Sequence, residues 1–341
     1  LEEHMGDYAA QRAHLCRILD SLQTISINTI LLQTRIRGDV IYPSEVEPFS
    51  PVFTGKHGVA PDYDPLAFAI EETHKRGMEL HAWIVTVPAF KIANAPKMGK
   101  RSLLKTHPEL LRKHGEQYYL DPGLPGSAKY LTSICEEIVN RYDVDGIHFD
   151  DYFYPTMNES FDMSDYLDYT TKSENPLPLA DWRRENVNQM LKTVYDEIKK
   201  KDKNISFGIS PAGNNQLNYN ELYADVGAWI KGGYVDYIIP QLYFGYDFSI
   251  ERLQYDNLVY EWSKYKSDVT LYAGLGAYKI GNATGTEKDE WSSGCIMEKM
   301  INYSRGYKYS GFVIFSYASL FSDDELNTEE RNRIFNLIGD N

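Results

Sequence analysis

What most narrows the fold is an alternation: a helical hydrophobic pattern is followed by a short apolar run, and the pair recurs to the end of the chain. Across residues 8–22, Ala9, Leu15, Ile18, Leu19 and Leu22 fall at three- and four-residue spacings, and Thr29–Arg35 then reads as a strand. Residues 65–76 read as a helix stopped by Gly77 ahead of a strand at 79–87, and residues 126–140 as a helix ahead of a strand at 144–151. Asp181 is placed to cap a helix with Val187, Met190, Leu191, Val194 and Ile198 on one face, followed by a strand at 205–210. The same grammar pairs 219–231 with 235–243, 250–264 with 270–275 and 291–304 with 311–317, and a closing helix covers 328–337. Strands separated by helices pair in parallel through crossovers, and this many of them predict a TIM-type (β/α)8 barrel over an open sheet. Seven strands are legible where eight are expected, and the chain opens on the helix that should follow a first strand, which is therefore absent or hidden. One barrel can use all 341 residues, so a single domain over 1–341 is expected.

In such a barrel the chemistry sits at the C-terminal ends of the strands. The strand at 144–151 ends in two adjacent carboxylates followed by three aromatics, Asp150-Asp151-Tyr152-Phe153-Tyr154. Side chains alternate along a strand, so Gly146, His148 and Asp150 share one face while Ile147 and Phe149 share the other, which should meet helices. Asp151 sits where the backbone can turn it toward the same mouth; the bland alternative is that the pair caps a helix. Gln33, Arg35 and Arg37 share parity at the end of the first legible strand, and either Arg can clamp a carboxylate or hydroxyls, or form a structural ion pair. His81 and Trp83 share a face in the next strand, although a lone inward His is more often a core residue. Gln241 and Tyr243 end the strand at 235–243, and Tyr278 follows the next. Among acids near strand ends, Asp39, Asp150, Asp151 and Asp247 are placed to act. The long polar, Tyr-rich segment 152–179 should order over the mouth and bind substrate. Trp182 and Arg183, just beyond it, fit core packing and substrate contact equally well.

Composition restricts the partner. A net charge of −14 argues against nucleic acid and against an anionic membrane surface. Tyr is used 27 times beside 5 Trp and 14 Phe, and rings with a polar tip suit the apolar faces and hydroxyl edges of sugars, though most will serve ordinary packing. Cys16, Cys135 and Cys295 show no metal spacing and read as small buried hydrophobes. No G-x-G-x-x-G follows the first strand and no His/Asp cluster has ligand spacing, so neither cofactor nor metal is expected. No apolar run is long enough to span a membrane, and Leu1-Glu2-Glu3-His4-Met5 is not a signal peptide.

The run Asp145-Gly146-Ile147-His148-Phe149-Asp150-Asp151-Tyr152-Phe153-Tyr154-Pro155 resembles the signature of the bacterial glycosyl-hydrolase-like family 10 proteins. Other blocks agree in order: Arg37-Gly38-Asp39 with Tyr42-Pro43-Ser44, Asp64-Pro65-Leu66-Ala67-Phe68, Leu80-His81-Ala82-Trp83, Tyr119-Leu120-Asp121-Pro122-Gly123, Asp181-Trp182-Arg183-Arg184, Gly208-Ile209-Ser210-Pro211 and Ile239-Pro240-Gln241-Leu242-Tyr243. The resemblance covers nearly the whole chain. It implies a (β/α)8 barrel and a bacterial envelope, periplasmic or secreted protein, in some cases a lipoprotein, with some members linked to the glycan strands of peptidoglycan. Two features differ: the Arg-x-x-Trp first strand usual in members is missing, and Val85-Thr86-Val87 stands where many carry Asn-Pro-Tyr.

Adjacent acids suit substrate-assisted hydrolysis of N-acetyl sugars, in which the 2-acetamido oxygen is the nucleophile, one carboxyl orients the amide and its neighbour protonates the leaving oxygen. Which of Asp150 and Asp151 is the acid stays open at the level of sequence. One rival is an ordinary two-carboxylate glycosidase with Asp150 as nucleophile and Asp247 as acid. The other is a non-catalytic or weakly active glycan-binding barrel.

Overall fold

The computed structural model describes residues 2–339. They form two compact units, one comprising residues up to 19 with 28–207 and 216–234, the other 20–27, 208–215 and residues from 235 onward.

In the first unit, strands β1 (Thr29–Arg35) and β2 (Glu79–Ile84) run parallel. A three-stranded antiparallel sheet follows, made of β3 (Pro88–Lys91), β4 (Leu111–His114) and β5 (Gln117–Leu120) in the order β3-β5-β4. Strand β6 (Gly146–Phe149) returns to the parallel sheet beside β2, and the start of β7 (Ser206–Ile209) lies on its far side, where Ser206 N–H donates to the Asp145 carbonyl. The helices between these strands start and stop where their ends are chemically satisfied. Asp64 accepts from the N–H groups of Leu66 and Ala67 at 3.1 Å ahead of Pro65, and Gly77 takes the left-handed conformation (φ 69°) just after Pro65–His74. Pro125–Arg141 buries Leu131, Ile134, Cys135 and Ile138 on one face, and Leu179–Lys201 buries Val187, Met190, Leu191, Val194 and Ile198.

In the second unit, the end of β7 pairs with β8 (Tyr237–Ile238), β8 with β9 (Thr270–Gly276), and β9 with β10 (Gly311–Phe315), all parallel. Gly208 is obligatory there, because a Cβ would fall 2.0 Å from the Tyr237 ring. The parallel strands among the described residues are therefore seven, interleaved with helices as in a (β/α) barrel, and the helix Tyr8–Thr24 precedes the first of them. No helix among the described residues is long and apolar enough to cross a membrane.

Several sequence expectations require correction. The antiparallel sheet β3–β5 has no counterpart in the predicted alternation. Leu179–Lys201 begins before Asp181, which caps nothing and instead pairs with Arg184 at 2.7 Å. The helix expected at 219–231 is two, Asn215–Asn220 and Val226–Gly232, and ladder pairing in the strand expected at 235–243 is confined to Tyr237–Ile238 plus an isolated bridge at Gln241. Segment 152–179 is not merely a loop, since it contains the helix Met163–Lys172.

Candidate active site

Register assembles the centre of the site. Trp83 lies opposite His148 across the β2–β6 pair, and His81 opposite Gly146. The rings of Trp83 and His148 meet edge to face at 6.5 Å, and a Cβ on Gly146 would fall 2.6 Å from His81 Nδ1, so glycine makes room for that imidazole. Trp83 Nε1–H then donates to Asp150 Oδ2 at 3.0 Å. His81, Trp83, His148 and Asp150 thus share one face of the sheet. Phe149 lies on the other, against Phe207, whose ring in turn meets Tyr195 of the helix Leu179–Lys201.

Asp150 is 3% exposed and sits one residue past the end of β6. Its Oδ1 accepts from the Tyr152 N–H at 3.2 Å, so both oxygens are held. Burial, followed by the charge of Asp151, pushes its carboxyl up to about 7 against the pull of the Trp83 hydrogen bond. Asp151 is half-buried. The imidazoles behind the pair are buried, and burial lowers both, His148 to about 3, so they stay neutral at physiological pH.

A carboxyl raised above its unfolded value contributes stability that is complete below the unfolded pKa and is lost as pH rises through the folded one. For Asp150 the window runs from about 4 to about 7. Asp150→Asn, neutral at every pH, should therefore cost about 1–2 kcal/mol at pH 4, where only the mismatch of its Nδ2 with one of the two N–H donors is felt. At pH 8 it should raise stability by on the order of 2 kcal/mol, the full pKa difference being discounted for one mismatched hydrogen bond. Urea titrations at the two pH values check this.

The remaining predicted residues divide. Tyr152 is 45% exposed, and its carbonyl accepts from Thr86 Oγ1 at 2.7 Å and from Val87 N–H, which ties the segment after β6 to the end of β2. Exposed Arg37 lies over the Tyr152 ring at 5.8 Å. Arg35 does not join it. A bulge between Gln33 and Arg35 breaks the shared parity, and the fully buried guanidinium forks onto Glu47 at 2.7–3.0 Å while donating to the carbonyls of Val85 and Thr86. Its role is structural. Asp39 is buried, pushed up to about 7 by that burial, and lies 3.7 Å from His57.

Trp182, Arg183 and Tyr154 are also internal. Trp182 is 4% exposed and stacks on Tyr169 at 5.9 Å. Arg183 is fully buried, pairs with Asp162 and bonds the Tyr223 hydroxyl at 3.0 Å and the Asn158 carbonyl at 3.1 Å, with the Tyr154 ring 5.2 Å away. Through these contacts Trp182 and Arg183 tie segment 152–179 to the helix Leu179–Lys201. Arg112 of β4 holds the helix Met163–Lys172 through Asp165 at 2.7 Å.

In the second unit, Gln241 donates to the Ser210 carbonyl at 3.0 Å. Tyr243 and Tyr278 form a three-ring cluster with Phe315: Tyr243 and Phe315 stack at 6.1 Å, and Tyr278 stands edge-on to both. Phe315 and Tyr278 are 42% and 43% exposed. Phe315, which the sequence reading did not single out, ends β10, and an aromatic at a strand end is the sequence signal for it. Asp247 is exposed, with its backbone N–H donating to Glu290 at 3.1 Å.

The chain is similar to known proteins along most of its length. The Glycosyl hydrolase-like 10 model matches residues 5–293. Glycosyl hydrolase YngK of Bacillus subtilis (strain 168) is 33% identical over 94% of this chain, and Glycosyl hydrolase DigH of Escherichia coli (strain K12) is 35% identical over the same share. The chain spans 66% of the length of YngK and 77% of that of DigH. Among solved structures, the PgaB (BpsB) glycoside hydrolase domain from Bordetella bronchiseptica aligns over 96% of this chain and 94% of its own, with a TM-score of 0.64 at 13% identity. At that identity the likeness is one of fold, in the (β/α)-barrel class. With a family model covering most of its length and relatives at this level of identity, the chain belongs to the Glycosyl hydrolase-like 10 family.

Proposed function

We propose that the protein is a glycoside hydrolase of the bacterial cell envelope or its surroundings, cleaving glycans that contain N-acetyl amino sugars, such as peptidoglycan glycan strands. The observation that carries this reading is the buried carboxyl of Asp150, fixed by Trp83 Nε1–H and the Tyr152 N–H and pushed up to about 7, with a second carboxyl on the next residue. Charge on one of two adjacent carboxyls makes the other hold its proton more tightly, so with Asp150 ionised as the buried base, Asp151 beside it can carry the proton of the acid.

In this reading Asp150 receives the N–H of the 2-acetamido group and orients its carbonyl oxygen toward the anomeric carbon. That oxygen forms the new bond to the carbon as the glycosidic bond breaks, and Asp151 gives its proton to the departing oxygen. An oxazoline-type intermediate results. Water then adds at the anomeric carbon, with Asp151 taking its proton, and the acetamido group is restored. Only a carboxyl held in one orientation can align the amide, which is what two hydrogen bonds to a buried side chain accomplish. Asp151, nearer solvent, can reach a leaving group that must depart.

The role of Asp150 as a base predicts a rise in kcat/KM as pH increases through about 7. Because the Trp83 hydrogen bond favours the ionised carboxyl, Trp83→Phe should move that ascending limb to higher pH while shifting a descending limb little. A pH–rate profile on a soluble N-acetylglucosaminide measures both. A limb that stays in place in Trp83→Phe removes the assignment of Asp150 as the titrating base.

A further inference from the structure

We propose that the second unit carries a saccharide-binding cleft of its own, formed by Tyr246 and Tyr303 with Asp247, Asn302 and Lys299 at its edge, which holds a further stretch of a polymeric glycan. This rests on the reading of the chain as a glycan hydrolase, but it uses neither Asp150 nor Asp151. The cleft is shallow and broadly open to solvent, with about 670 Å³ over its lining, room for one or two sugar rings.

Its wall is prepared in advance. Three successive N–H groups are taken by side chains of the same unit: Gly245 donates to Glu287 at 2.5 Å, Tyr246 to Glu290 at 2.9 Å and Asp247 to Glu290 at 3.1 Å. Gly245 is required for this, since a Cβ there would fall 1.7 Å from Glu290 Oε1. The segment presenting Tyr246 and Asp247 is therefore fixed without a ligand, and little ordering entropy is lost on binding. Tyr303 packs edge-on against Tyr246 at 5.9 Å, so the two form one aromatic wall, and the row continues through Tyr307 at 5.3 Å to Tyr260, which is 52% exposed.

The chemistry favours a neutral saccharide over other ligands. Half-buried tyrosines offer ring surface for sugar C–H faces and hydroxyls for their edges, while exposed Asp247, Asn302 and Lys299 supply both acceptors and donors for hydroxyl and acetamido groups. Two carboxylates at the site and a net charge of −14 repel phosphates and nucleic acid. Ile296 is the aliphatic residue in the lining, too little for an apolar helix, whose groove is lined by several such anchors.

The test measures binding apart from turnover. In the full chain carrying Asp150→Asn, sedimentation with insoluble chitin and with peptide-free peptidoglycan glycan gives a dissociation constant. Adding Tyr303→Ala should raise it at least about tenfold, and adding Asn302→Ala, which removes an exposed side chain without touching the core, about three- to fivefold. In the otherwise wild-type chain, Asn302→Ala should leave kcat/KM on a short soluble N-acetylglucosaminide unchanged. Binding that is equal in parent and both variants, a parent that binds neither polymer, or loss of short-substrate turnover in Asn302→Ala each overturns the proposal. A chain that binds chitin through Tyr303 and Asn302 yet hydrolyses nothing supports the cleft while removing the catalytic reading.

Discussion

Asp150→Asn and Asp151→Asn should each lower turnover of an N-acetylated glycan by roughly 10²–10⁴-fold, the contribution of a positioned acid or base, with the fold retained. The two should fail differently. A glycoside with an activated aryl leaving group departs without a proton, so Asp151→Asn should recover most of its rate on that substrate. Asp150→Asn should recover none, because the acetamido group is no longer aligned whatever the leaving group. Substrates bearing a 2-hydroxyl in place of the 2-acetamido group should be inert with the wild-type chain. Cleavage of those substrates as fast as their N-acetyl counterparts sinks the substrate-assisted route, and full activity in either Asn variant removes that residue from the chemistry.

The second large effect concerns stability. Arg35 and Glu47 form an ion pair with both side chains at 0% exposure, and the Tyr130 hydroxyl adds a hydrogen bond to Glu47 at 2.9 Å. Removing one partner strands the other charge in the interior, so Glu47→Gln or Arg35→Met should destabilise the protein by about 3–5 kcal/mol. The double replacement Arg35→Met with Glu47→Leu should recover a large part of that loss, because the desolvation of both ions is then avoided. Chemical denaturation of the single and double variants gives the coupling. A double variant no more stable than the worse single one would show that the carbonyl bonds of Arg35 to Val85 and Thr86, not the ion pair, hold the loops after β1 and β2.

Some of this was legible along the chain because the information is local. The helix–strand alternation follows from residue spacing, and the side-chain parity of β6 follows from backbone geometry, so Gly146, His148 and Asp150 could be placed on one face from sequence. The pairing of β2 with β6 was not local, but both strands were short and bounded. Once they pair in register, Trp83 has little choice except to face His148 and reach Asp150.

Other assignments depended on partners distant in sequence. Arg35 reads equally as a substrate clamp or a structural ion pair until Glu47 folds back on it, and the bulge beside it leaves no mark in the residue pattern. Arg183 and Trp182 read equally as contact or core until Asp162 and Tyr169 arrive from the preceding segment. The antiparallel sheet β3–β5 was invisible because Pro88–Lys91, Leu111–His114 and Gln117–Leu120 are short, carry Pro or polar residues, and follow no helical pattern that would mark them as strands. The raised carboxyl of Asp150 was invisible for a further reason. A pair of aspartates is the same pair in any sequence, but the free energy of charging one of them is set by how much water and how many hydrogen-bond donors surround it. The sequence by itself determined the order of elements and the face on which the acids stand, since both are properties of the chain and its nearest neighbours. Only the tertiary structure decided which charged groups are neutralised inside and which remain available for chemistry, because desolvation and pairing arise between residues that meet only after folding.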